Sequence, residues 1–208
     1  MVSMITDDKR VMTQPDIPHA EPKMGKVAVI YTTPETVIDD YARLLDLADY
    51  QTALTPNIET FLKVNISWQH YYPACSSAPW QIDGVAQKLQ ADGFDKLTAA
   101  HNGTVVVNAD EGREKNKHGV VEDRLGLKHV VLDVPPMKWI PYKPTAKMLV
   151  LDDIYKDGLY IPEAFPGTNI VQLPTVKTHV FTTMTGAMKN AFGGLLHRYR
   201  HWTHAVIH

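Results

Sequence analysis

The 208-residue sequence predicts an α/β fold in which a mostly parallel sheet carries helices on both faces. Three observations point there. Short β-branched runs bounded by turn residues recur along the chain. Between them lie segments whose apolar residues repeat at helical spacing. No stretch approaches the ~18 apolar residues of a membrane span. Strands alternating with helices at this spacing imply parallel pairing through crossovers, a Rossmann-like layering.

The elements follow in order. Residues 1–24 are polar, contain three prolines and show no period, so they read as a flexible N-terminal extension ahead of one α/β domain over 25–208. "KVAVIY" (26–31) reads as a first strand. A helix follows, with Thr33 as cap, Pro34 in its first turn and Val37, Tyr41, Leu44, Leu45 and Ala48 on one face. "TFLKVNISW" reads as a buried strand, then a helix with Ile82, Val85, Ala86 and Leu89 inward, then a strand in "DKLTAAHNG". "EGREKNKHGVVEDRLGL" is a weaker charged helix or loop in which Glu111, Glu114, Glu122 and Asp123 look like a solvated face. "KHVVLDVP" is a clear strand, and a proline-rich connection leads from it to a strand in "KMLVLDDIY". "TNIVQLPTVKTH" gives a last strand before a terminal helix, with Thr182, Thr183 or Thr185 as caps and Ala187, Met188, Ala191 and Phe192 as packing positions.

Composition narrows the function. Twenty-one basic and 23 acidic residues are mixed along the chain for a net charge of −2, which argues against nucleic acid or anionic membrane as partner. Cys75 is the sole cysteine, so this chain alone can form no disulfide, no four-cysteine zinc site and no iron–sulfur cluster. With no apolar core of a signal peptide at its start, it reads as a cytoplasmic protein.

Ligands of parallel sheets bind at the carboxyl ends of the strands, which gives the residues there a functional reading. Lys63 and Asn65 alternate onto one strand face, either as a solvated edge or as an anion site in which Asn65 supplies a directional hydrogen bond. His101, Asn102 and Gly103 form a turn that is either structural or part of the same cleft. Asp152 and Asp153 read as caps more readily than as metal ligands. The segment from Lys177, Thr178 and His179 to Lys189, Asn190 and Gly193 is the most specific. Lysine charge beside a helix start suits a phosphate or carboxylate. Lys189 falls about two turns into the expected helix, and Gly193–Gly194 could end it early.

These residues form the wall of a cleft for a small anionic ligand, with Lys63, Asn65 and His101 on facing loops. His179, together with Lys177 and Lys189, is the candidate acid–base and catalytic group, since imidazole titrates near neutrality. A second reading uses His197, His201, His204 and His208, spaced four, three and four apart on one helical face, as ligands for a transition metal alongside His179. A third makes the same helix, with Arg198, Tyr199, Arg200 and Trp202, a docking surface for a redox partner or a second copy.

"FLKVNIS" and "VQLPTVKTHVFTTMTGAMKNAFGGL" resemble the domain of unknown function 362 family over roughly residues 26–208. The resemblance rests on a Lys-x-Asn strand end and on the signature from Lys177, Thr178 and His179 to Lys189, Asn190 and Gly193. Members are often described as iron–sulfur-centre proteins, an expectation Cys75 cannot meet by itself. Members also usually continue past the histidine-rich helix, so the natural protein is expected to extend beyond His208. A looser similarity of layout is to the N-terminal domain of nickel-dependent lactate racemase.

Overall fold

The computed structural model describes residues 12–13, 25–103, 107–145 and 147–195. Its centre is a four-stranded sheet of β2 (Thr60–Val64), β3 (Leu97–His101), β4 (Lys128–Val131) and β7 (Asn169–Leu173), in the order β4-β3-β2-β7. Every pairing in it is parallel. Both central strands, β2 and β3, are buried along their whole length, as a sheet covered on two faces requires.

The alternation of side chains sorts the chemistry between those faces. Leu62, Val64, Leu97 and Leu173 point into the larger core with Ile82, Val85, Ala86 and Leu89 of α2 (Pro79–Ala91). α1 (Val37–Leu47) packs on α2. Gly84 permits that approach, because a Cβ there would stand 2.8 Å from Tyr41 Cβ and 2.9 Å from the Ile38 carbonyl. The charged stretch that follows β3 forms two short helices, α3 (Ala109–Lys115) and α4 (His118–Arg124), and α4 joins the same layer against α2. On the opposite face Phe61 meets Ala100, Leu132 and Phe165. There α6 (Ala187–Leu195) packs against β2 and β7, so helices cover both faces.

The remaining strands lie outside this sheet. β1 (Met12–Thr13) pairs parallel with β5 (Trp139–Lys143), which pairs antiparallel with β6 (Leu159–Pro162). β8 (Lys177–His179) and β9 (Thr183–Thr185) form an antiparallel hairpin.

Several expectations are corrected. Residues 26–31 form no strand: Val27, Val29 and Tyr31 are exposed, so this β-branched run joins no sheet. α1 begins at Val37 rather than at Pro34, because the Thr33 and Thr36 hydroxyls bond each other in a preceding turn. The strand expected in "KMLVLDDIY" is instead the short helix α5 (Leu151–Ile154), with Leu149 almost fully exposed. The proline-rich connection contains β5, whose Pro141 sits in a small outer sheet rather than a central strand. Thr183 and Thr185 lie in β9 rather than capping a helix, and Met188 is exposed instead of packed. Gly193–Gly194 do not break α6, which runs through both. Of the N-terminal extension only Met12 and Thr13 are described. Among the described residues no helix is long and apolar enough to cross a membrane.

Candidate functional site

Two groups of polar side chains gather at the carboxyl ends of the strands, one on each face of the sheet. The first is built on Lys177. Alternation in β8 turns Lys177 and His179 to one side and Thr178, which is exposed, to the other. The Lys177 ammonium donates to Asn65 Oδ1 at 2.8 Å and to the Cys75 carbonyl at 2.6 Å. Both acceptors are neutral. Among the described residues no ion pair includes Lys177. Burial pushes its pKa down, the Cys75 side opposes that, and the charge of nearby Lys189 lowers it further.

The loop that receives Lys177 is held from several directions. Asn65 donates its backbone N–H to Ser77 Oγ at 2.8 Å and accepts from the Ser77 N–H at 2.8 Å, while the Ser67 hydroxyl donates to Asn65 Oδ1 at 2.8 Å. Ser77 Oγ also donates to the Leu173 carbonyl, tying β2 to the end of β7. Because β9 occupies residues 183–185, α6 starts later than the sequence suggested, and Lys189 falls in its first turn rather than two turns in. Asn190 is buried and donates to the Lys63 carbonyl at 2.7 Å and to Gln172 Oε1 at 2.9 Å. Lys63 itself is 3% exposed, on the face of Phe61 and α6, with its ammonium on the Val64 carbonyl. It is not a solvated edge residue. Gly193 is half-buried further along α6.

His179 accepts at Nδ1 from the backbone N–H groups of Phe181 and Thr182, at 3.2 and 3.3 Å. A neutral ring held this way carries its proton on Nε2.

The second group lies on the other face. His101 ends β3 beneath α4 and is fully buried, so it does not join the lysine group. Glu122 was expected on a solvated face, yet it too is fully buried, with His118 one helical turn before it. His101 Nε2 donates to Glu122 Oε1 at 3.1 Å, and Arg113 Nε donates to Glu122 Oε2 at 2.5 Å. Burial alone would raise the Glu122 carboxyl; the hydrogen bonds and charges of His101 and Arg113 outweigh it and hold it below its ordinary value. Burial pushes His101 down to about 4 despite Glu122, so the imidazole is neutral at pH 7. His118 donates from Nε2 to the Ser77 carbonyl at 2.7 Å, and burial lowers its pKa as well. Asn102 follows His101, buried, with neither amide atom hydrogen-bonded among the described residues. Gly103 donates its N–H to Asp133 Oδ1 at 2.8 Å.

The expected metal ligands His197, His201 and His204, with the docking residues Arg198, Tyr199, Arg200 and Trp202, lie outside the described residues. Sequence reasoning passed over His118, Arg113 and Gln172. The His118–Glu122 spacing of four was the one available signal.

A family model, the domain of unknown function (DUF362), matches residues 60–208, from the first residue of β2 onward. The chain belongs to this family. Searches of curated proteins and of solved structures give no match. The DUF362 match therefore spans both polar groups, and its description names no activity, cluster or ligand for either.

Proposed function

We propose that this DUF362 chain is an enzyme that binds a small anionic ligand, bearing phosphate or carboxylate, at the Lys63–Lys177–Lys189 group. The observation that carries the reading is the half-buried Lys177 ammonium, which rests on two neutral acceptors at the mouth of a parallel sheet. An ammonium removed from water without a counter-ion is costly, and an arriving anion removes that cost. The nearby charge of Lys189 adds to the attraction. Asn65 accepts from the Lys177 ammonium, and Asn190 ties α6, which carries Lys189, to β2, which carries Lys63. His179 follows Lys177 by two residues on the same strand face, about 7 Å along it. With its proton on Nε2 it is suited to donate a hydrogen bond to a bound substrate oxygen and so stabilise negative charge developing there.

Titration of the full chain with inorganic phosphate by calorimetry tests this. Saturable binding that weakens at least about tenfold in Lys177→Met supports the reading, since ~1.4 kcal/mol of lost charge interaction is worth that factor. No binding in the wild type by phosphate or by a dicarboxylate such as malonate, or equal binding in Lys177→Met, overturns it.

A further inference from the structure

We infer that His101, His118 and Glu122 form a buried centre for a divalent transition metal, on the sheet face opposite the lysine group. One ligand atom from each of the three lies within 4.8 Å of the others, and all three side chains are fully buried. Two imidazole nitrogens and one carboxylate oxygen are a ligand set for zinc or iron(II). The elements that deliver them are rigid: the end of a central strand and one face of α4.

The decisive feature is the state of the ring nitrogens. The Ser77 carbonyl can only accept, so His118 must carry its proton on Nε2, and Nδ1 is left as a bare lone pair. His101 Nε2 faces Glu122 Oε1 at 3.1 Å, about the spacing of two ligand atoms on one ion, so an arriving cation takes the place of the proton between them. His118 Nδ1 is buried and has no hydrogen-bond partner among the described residues. An unsatisfied buried acceptor such as His118 Nδ1 costs about 1–3 kcal/mol and needs an explanation. A cation supplies one.

The surroundings resemble the outer shell of a metal centre. A ligating histidine commonly donates its other ring N–H to a backbone carbonyl, as His118 does to Ser77, and a ligating carboxylate is hydrogen-bonded on its second oxygen, as Glu122 is by Arg113. His129 stacks edge-on against His101, with ring centroids 4.8 Å apart, and encloses the site from β4. Metal–ligand bonds of about 2.0–2.2 Å require the three donor atoms to close by roughly an ångström. Arg113 already balances Glu122, so the ion adds net positive charge. With no ligand side chain exposed, the centre ties α4 to β3 rather than meeting substrate.

The test uses the full chain, stripped with chelator and titrated with zinc while metal content and melting temperature are followed. One equivalent retained through gel filtration, with a higher melting temperature, is expected. Retention should fall at least about tenfold in His118→Ala and in the shape-conserving Glu122→Gln, a loss typical of altered ligation. It should persist in the double variant His201→Ala/His204→Ala, which separates this centre from the terminal histidines. A wild type that retains no zinc or iron(II), or retention unchanged in Glu122→Gln, overturns the inference. Should His118→Ala fail to fold, the Glu122→Gln result and the wild-type melting shift decide.

Discussion

The two faces of the sheet handle buried charge in opposite ways. On the α4 face Glu122 and Arg113 neutralise each other and His101 stays neutral, so that region is balanced within the chain. On the α6 face Lys177 is desolvated against neutral oxygens, with Lys189 close enough to disfavour its charge. A charge with its own counter-ion is part of the architecture. A cation without one is a place for an anion to bind.

The comparison breaks most sharply at Glu122. Glu122→Ala leaves Arg113 and His101 without their shared acceptor, and removing one partner of a buried ion pair costs about 3–5 kcal/mol. Chemical denaturation should read a loss of that size; a loss below about 1 kcal/mol, the usual worth of a surface pair, would mean the region is solvated.

Acid probes the same face. His101 falls from 6.5 to about 4 on folding, so its contribution is present above pH 6.5 and is lost as the pH drops toward 4. At about 1.4 kcal/mol per pH unit this amounts to about 3 kcal/mol, and the lowered His118 acts in the same direction. Denaturation of metal-free protein at pH 7, 5.5 and 4 checks it, and a flat profile would show that His101 takes up its proton as readily folded as unfolded.

On the α6 face the expected effects on stability are smaller. Asn190→Ala removes hydrogen bonds to the Lys63 carbonyl and to Gln172 and should cost about 1–3 kcal/mol by thermal melting. Lys177→Met should change stability by no more than about 1 kcal/mol, because replacing a desolvated charge with an apolar chain of similar length is often neutral or favourable. A large destabilisation by Lys177→Met would make that lysine a structural tie between the hairpin and the Asn65 loop, and would remove the contrast between the faces.

How far the sequence could be read varied by element. The inward positions Ile82, Val85, Ala86 and Leu89 were legible because one helical period with one buried face fixes them. Residues 26–31 misled because β propensity records fit to a half-buried sheet surface, whereas Val27, Val29 and Tyr31 lie exposed outside the sheet. Lys189 was misplaced because β9 consumed residues that threonine chemistry had assigned to a helix start. Glu122 was misread because its neighbours are charged, whereas a seven-residue helix turned it beneath β3.

By itself, then, the sequence determined the alternation of strands and helices, the parallel sheet and the family signature around Lys177 and Asn190, since each of these is written in local period and spacing. Tertiary structure alone decided which face each polar group occupies. Sidedness depends on strand register and on the neighbours a residue meets: Lys63 aligns with Ala100 on the α6 face, while His101, one residue further along β3, turns to the other. One step along a strand reverses a side chain's direction, and no sequence pattern outside the sheet records which way the sheet was packed.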